Sequence, residues 1–179
     1  MAKNQRKTID KVFILLGFAV IALLLTMGSL AWWGAEFATK SVRSELAAQK
    51  IYFPPKGSPA LSPEDYPGLQ RYAGQQVDDG IKARAYANEY IGKHLENIAG
   101  GKTYAEVSAE SRQDPSNEKL IAQKESLFQG ETLRGLLLNA YAFWTFGLLA
   151  QVVAIISFLG AAVMSLLVWL GIRHLSKLK

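Results

Sequence analysis

Two histidines, a few closely spaced carboxylates and one Gly-Gly-Lys-Thr run are the groups in this chain whose types and spacing could support chemistry. His94 and His174 could each act as a base or a metal ligand, but they are far apart in sequence. Asp78 with Asp79, and Glu106 with Glu110, offer paired carboxylates. General acid–base catalysis needs such a pair to converge on one substrate, whereas adjacent acids and acids one helical turn apart ordinarily mark caps and solvated faces. Ser108 and Ser111 have no histidine nearby to serve as base. Gly100-Gly101-Lys102-Thr103 ends like a phosphate loop but lacks the upstream glycine of G-x-x-x-x-G-K-[ST], so it reads as a helix stop followed by a cap. Cysteine is absent, which removes disulfides, c-type haem attachment and thiolate metal sites. The expectation is a chain that is not an enzyme and carries no cofactor and no metal.

The elements that would position any such group are dominated by two charge-free apolar runs, Val12 to Ala35 and Gly135 to Ile172. A hydrocarbon core about 30 Å thick takes roughly 20 residues of helix, so each run is long enough to span once. Lys3, Arg6, Lys7 and Lys11 precede the first run, and Arg173, Lys177 and Lys179 follow the second. The positive-inside rule then puts both termini in the cytoplasm and the central residues outside, in a multi-pass protein of the plasma (inner) membrane. Residues 1–11 and 173–179 each carry +3, while the middle holds 13 basic against 14 acidic residues. The overall +5 therefore belongs to the tails, beside anionic headgroups, and argues for lipid contact and against nucleic acid. A cleaved signal peptide is the competing reading of the first run. Against it stand the length of the run and Trp32-Trp33, placed where an aromatic belt would anchor a retained helix.

The fold class expected is an all-α membrane protein, two transmembrane helices flanking an exterior helical domain. Its divisions are a basic tail 1–11, a span 12–35, an exterior domain 36–143 with helical extensions of both spans, a span 144–170 and a basic tail 171–179. Ala31, Ala35, Ala38, Val42 and Leu46 continue the first helix to about Gln49, before Pro54-Pro55. Ser62-Pro63-Glu64-Asp65 looks like a capped helix start that Pro67 shortens or shifts. Ala83, Tyr86, Ala87, Tyr90, Ile91, His94, Leu95 and Ile98 give an amphipathic helix from about Gly80 to Ala99, with His94 as a packed core residue. Gly100-Gly101 stops it, and Thr103 with Glu106 forms a capping box for the next helix. From Ser116 a further helix carries Leu120, Ile121, Leu127 and Phe128 on one side, with a joint at Gly130. The 38 residues from Gly135 to Ile172 would make a helix of about 57 Å, too long for the bilayer. Its outer end is expected to project outward, with Leu136, Leu137 and Leu138 as the floor of the exterior domain.

Small residues recur every three or four positions in both runs: Ala19, Ala22, Thr26 and Ser29 in the first, Ala150, Ala154, Ser157, Ala161 and Ser165 in the second. Such seams allow close helix approach and are expected to face each other or a partner helix. Gln151 could bond across them. No charge lies within either span, which argues against a proton relay, an ion-coupled transporter or a voltage sensor. Outside, Glu131, Arg134, Asn139, Tyr141 and Trp144 decorate the helix entering the second span. They read either as interfacial anchors, with Arg134 on a lipid phosphate, or as contacts for a partner.

The stretches Gly100-Gly101-Lys102-Thr103-Tyr104-Ala105-Glu106-Val107-Ser108 and Gly130-Glu131-Thr132-Leu133-Arg134-Gly135-Leu136-Leu137-Leu138-Asn139-Ala140-Tyr141-Ala142-Phe143-Trp144 carry a resemblance over most of the chain. The chain resembles an uncharacterised family of actinobacterial two-span membrane proteins. Members are sometimes labelled aromatic ring-opening dioxygenases, a label that conflicts with the lack of clustered His and carboxylate iron ligands here. Two function classes follow. One is a non-catalytic membrane-anchored helical module, an accessory or structural subunit packed against another membrane protein or a second copy of itself. The other is an exterior domain that binds a small ligand or lipid, its identity unknown, between the Tyr86-Tyr90 helix and the membrane-proximal helices.

Overall fold

The computed structural model describes residues 3–177, and the side chains of Lys3 and Asn4 are left undescribed. Of the two basic tails, residues 1–2 and 178–179 therefore lie outside the described residues. The fold is all-helical, and the two longest helices, one N-terminal and one C-terminal, are each long and apolar enough to cross a membrane. Helix α1 covers Lys3–Gln49, α2 Gly80–Ala85, α3 Gly92–Ala99, α4 Tyr104–Gln113 and α5 Glu118–Lys177. Short 3-10 turns occupy Pro59–Leu61 and Pro67–Tyr72, and a π-helical turn, Tyr86–Ile91, joins α2 to α3. The chain divides into two compact units, Met1–Phe37 with Phe146–Lys179, and Ala38–Thr145.

In the first unit α1 and α5 pack antiparallel. Gly171 lies against Ile14, Gly17 against Val168, Gly160 against Leu24 and Gly28 against Phe158. The least exposed positions alternate at three and four residues: Ile14, Gly17, Ile21, Leu24, Gly28 and Ala31 on α1, and Ala150, Ala154, Ser157, Ala161, Met164 and Val168 on α5. That 3.5-residue repeat is the one that keeps two helices in contact over a left-handed crossing. Glycine sets the closest approach: a Cβ on Gly28 would lie 2.8 Å from the Phe158 ring, and one on Gly17 would collide with the Val168 side chain. The α1 seam expected at Ala19, Ala22, Thr26 and Ser29 does not face α5 within the chain, since all four are exposed. On α5, Ala154, Ser157 and Ala161 are buried and Ala150 is half-buried, while Ser165 and Gln151 are exposed. The Ser157 and Ser165 hydroxyls donate to the carbonyls one turn back, Val153 at 2.8 Å and Ala161 at 2.7 Å, and so need no partner across the seam.

The second unit has a conventional apolar core, built on Phe53, Leu61, Leu69, Val77, Leu127 and Leu137. Helix α1 contributes Val42 and Leu46 to it and ends with Lys50 in the left-handed region (φ 54°), ahead of the two prolines. The chain then runs extended past residues 74–77. Phe53 N–H donates to Gln75 O and Val77 N–H to Ile51 O, each at 2.9 Å, forming one isolated antiparallel bridge, Tyr52 with Gln76. Ser62 does not start a helix. Its hydroxyl accepts from Asp65 N–H at 3.1 Å and closes a turn, and the 3-10 turn begins only at Pro67, whose ring supplies the φ an N-terminal position needs.

Helix α2 is capped by the Asp79 carboxylate, which accepts from Lys82 N–H at 2.8 Å. Gly100 (φ 61°) ends α3 in the left-handed conformation, its N–H donating to Glu96 O. The Thr103–Glu106 capping box opens α4: the Thr103 hydroxyl accepts from Glu106 N–H, and Glu106 accepts from Thr103 N–H at 2.7 Å. Helix α5 then runs unbroken from Glu118, so the joint expected at Gly130 is absent. Gly130 is instead a packing position, where any Cβ would strike the Leu95 side chain. Of the three leucines expected as a floor, Leu137 and Leu138 pack on the core and Leu136 is exposed.

Candidate functional site

In the second unit, residues Gly80 to Ala99 and the first half of α5 form an antiparallel pair. Gly80 packs on Trp144, an Arg84 guanidinium N–H donates to the Tyr141 hydroxyl at 3.3 Å, and Arg134 donates to Asn88 Oδ1 at 3.3 Å. Further along, Leu95 meets Gly130, and the Gln123 amide donates to Ile98 O at 2.8 Å.

The π-helical turn sits in the middle of this pair. Gly92 N–H reaches back five residues to Ala87 O, where an α-helix would use the residue four back. The cause is legible in the buried stripe Ala83, Ala87, Ile91, Leu95 and Ala99, which is spaced strictly by four. Each step of four overshoots a ~3.6-residue turn, and the wider π turn takes up the excess, keeping the stripe on one face. His94 is corrected by the same geometry: it is exposed, because the buried position of that turn goes to Leu95.

Between the π turn with α3 and the facing stretch of α5 lies a cleft of about 370 Å³. Tyr86 and Tyr90 line one wall, with Ile91 and Ile98 beside them; Leu133 and Gly130 line the other. His94, Ser126 and Gln129 supply the polar groups. The two tyrosines belong to an aromatic cluster, with ring centroids 4.9 Å apart; Tyr86 also meets Phe53 edge-on at 5.1 Å, and Tyr90 meets Tyr66 at 5.5 Å. Burial pushes the ionisation of both phenols above the ordinary range, and each is pushed further by a neighbouring phenol, Tyr90 for Tyr86 and Tyr66 for Tyr90. Both therefore stay protonated as hydrogen-bond donors. Among the described residues neither hydroxyl has a partner within the protein.

The residues singled out from sequence are distributed over this face and one other. Arg134 bonds Glu131 (3.2 Å) as well as Asn88, and its Nε is buried without a partner beside Gly92, which leaves room for the guanidinium. Tyr141 lies under the Arg84 guanidinium, 5.1 Å from its centroid, and Trp144 under that of Arg43 at 5.8 Å. Glu131, Arg134, Tyr141 and Trp144 are thus engaged inside the domain. Asn139 is exposed and lines a separate groove of about 230 Å³ with Leu136 and Phe143 of α5 and Ser41 and Glu45 of α1. No site unites the five.

Among the described residues no group of three or more His, Cys, Asp or Glu side chains is close enough to hold a metal ion. The paired acids have local roles: Asp78 pairs with Lys82, Asp79 caps α2, Glu106 caps α4, and Glu110 pairs with Lys102 at 2.7 Å. The Lys82 ammonium holds the Asp78 carboxyl below its ordinary value, and the Thr103 backbone N–H does the same for Glu106. Comparison with family models, curated proteins and solved structures finds no match to this chain. What the sequence missed was the cleft's shape. The period-four stripe was the available signal for the π turn, and no local signal marked Gly130 as a contact.

Proposed function

We propose that this chain is a two-span membrane protein in which the unit Ala38–Thr145 is an extracytoplasmic, non-catalytic helical module, serving as an accessory or structural subunit of a larger membrane assembly. The observation that carries this reading is the inverted packing of the first unit. Its helix pair buries Gly17, Gly28, Ala154 and Ala161 and exposes Phe13, Leu15, Leu23, Leu30, Phe146 and Leu159. In water that surface would aggregate, whereas in hydrocarbon it costs nothing, and small residues then supply the helix contact. Arg173 over the Trp169 ring, at 4.7 Å, suits a cytoplasmic interface. The exposed seam Ala19, Ala22, Thr26 and Ser29 leaves a face of α1 open to a further helix.

The native chain has no cysteine, so single-cysteine variants test the topology directly. Ser58→Cys should react with a membrane-impermeant thiol reagent in intact cells, and Ser176→Cys only after permeabilisation; the reverse pattern overturns the orientation. Gentle solubilisation followed by identification of co-purifying proteins tests the accessory role. A stoichiometric membrane partner supports it, and a monodisperse chain carrying only a small molecule sinks it.

The cleft favours a second reading, a small-ligand-binding exterior domain. A concave, mostly apolar site with a few polar groups, built around a π turn, is the form such sites commonly take.

A further inference from the structure

The cleft beside the π turn has a chemical character that narrows what it could hold. No Lys, Arg, Asp or Glu lines it. The cations nearest in sequence are already paired: Lys93 donates to Asp65 O at 2.6 Å and Oδ1 at 3.0 Å, and Arg134 is held by Glu131 and Asn88. Without Lys or Arg in the lining, an anion would find only the His94 imidazole to face it, and a cation would find no carboxylate, so the lining favours a neutral ligand. Two aromatic rings on one wall favour a flat partner, which stacks or meets them edge-on. Among the described residues the hydroxyls of those rings have no acceptor within the protein, and neither is sealed from water, so a ligand oxygen can take a hydrogen bond from them in place of solvent.

We propose that this cleft binds a neutral, flat carbonyl compound, with its ring against the Tyr86–Tyr90 pair and its carbonyl oxygen accepting a hydrogen bond from one of the two phenols. The proposal rests on the small-ligand reading of the cleft. His94, Ser126 and Gln129, on the polar part of the lining, are placed to meet a second oxygen on the same ligand. A cleft of about 370 Å³ has room for a ligand of one or two fused rings. The close approach at Gly130 fixes the separation of the walls, because any side chain there would push Leu95 away.

Three probes separate the parts of the proposal: naphthoquinone, which is neutral with carbonyls; naphthalene, which is neutral without them; and naphthoate, which is charged. The full chain is reconstituted in lipid nanodiscs, and retention of each probe is measured by equilibrium dialysis against empty nanodiscs, which correct for partition into lipid. Lack of cysteine removes thiol addition to the quinone as a complication. The expected result is that naphthoquinone is retained about fivefold more tightly than naphthalene, the worth of one hydrogen bond, with naphthoate at the empty-disc level. The Tyr86→Phe/Tyr90→Phe variant keeps both rings and should bring naphthoquinone down to the naphthalene level with helix content unchanged.

Equal retention of naphthoquinone and naphthalene, unaffected by the double variant, overturns the carbonyl assignment while the cleft reading stands. Preferential retention of naphthoate overturns neutrality. Retention of no probe above the blank, or retention that survives Ser126→Trp, which fills the cleft, overturns both the ligand class and the small-ligand reading.

Discussion

The two units of this chain are both helical, yet they sort their residues in opposite ways. The unit of α1 and α5 ends hides glycine and alanine and turns phenylalanine, leucine and tryptophan outward, with Leu15 at 70% exposure and Ala154 at 0%. The unit Ala38–Thr145 hides Phe53, Leu61 and Leu69 at 1% or less and turns lysine, arginine and glutamate outward. The same side chains cannot minimise free energy in both arrangements within one solvent. In water, burying a large apolar side chain contributes about 1.5–3 kcal/mol, and that term drives the second arrangement. In a lipid solvent the term vanishes, and the closeness of helix backbones becomes the remaining source of stability. The contrast is therefore a statement about surroundings, and it is the main physical support for the membrane reading.

The sharpest way to break the contrast is truncation of a large apolar residue in each unit. Phe53 stacks on Tyr72 at 5.3 Å and meets Tyr86 edge-on, so Phe53→Ala should cost the second unit about 3–5 kcal/mol. Loss of the near-ultraviolet dichroism of the tyrosine cluster in a urea titration of the detergent-solubilised chain reads this out. Leu15→Ala removes a comparable apolar bulk from the first unit and should leave its helix pairing unchanged. If Leu15→Ala loosened the pair as strongly as Phe53→Ala loosens the core, the two units would share one packing logic and the contrast would fail.

Enlarging a small residue is the complementary test. Gly28→Leu would drive a side chain into Phe158, and overpacking of this kind costs about 1–3 kcal/mol, roughly tenfold in the pairing equilibrium. Cross-linking between Ile14→Cys and Gly171→Cys measures that equilibrium, since a Gly171 Cβ would lie 3.4 Å from the Ile14 side chain. Ala22→Leu, on the exposed face of α1, should leave cross-linking intact. Efficient cross-linking in the Gly28 variant, or its loss in the Ala22 variant, would move the seam to the phase read from sequence. Within the second unit Gly130→Ala should destabilise by about 1 kcal/mol net, because overpacking against Leu95 exceeds the helix propensity gained over glycine. Stabilisation by this change in the urea titration would show that Leu95 gives way freely.

The features that sequence made legible are those fixed within a few residues. Thr103 and Glu106 cap each other across three positions, Gly100 takes the left-handed angle that ends α3, and the stripe Ala35, Ala38, Val42 and Leu46 carries α1 to Gln49. The features that escaped depend on the partner surface. Gly130 has the local signature of a break, but it sits mid-helix because Leu95 needs the space. Small residues in α1 offer two phases, and only the α5 side chains opposite select Gly17 and Gly28 over Ala19 and Ala22. For the candidate cleft, sequence supplied the Tyr86-Tyr90 wall. The other wall needed the continuity of α5 past Gly130.

The smallest expected effect separates the two units by pH. Tyr86 and Tyr90 are held above the ordinary phenol value of 10.0, chiefly by burial, which disfavours the phenolate in the folded state. Below about pH 10 both folded and unfolded chains keep these phenols protonated, so their contribution to stability is constant. As pH rises past that value the unfolded chain loses its protons first, the folded state binds more protons than the unfolded, and stability falls with further increase in pH. The loss is modest, because both rings are partly exposed and solvent screens the shift. The urea midpoint of the second unit should therefore decline above pH 10, and the Tyr86→Phe/Tyr90→Phe variant should flatten that decline. Helix pairing in the first unit, followed by the distance between thioether-linked spin labels on Leu15→Cys and Ile172→Cys, should show no matching change, since its seam carries no phenol. An alkaline decline that the double phenylalanine variant leaves untouched would remove the tyrosine pair as its source, and with it the partly buried, protonated donors on which the cleft's chemistry depends.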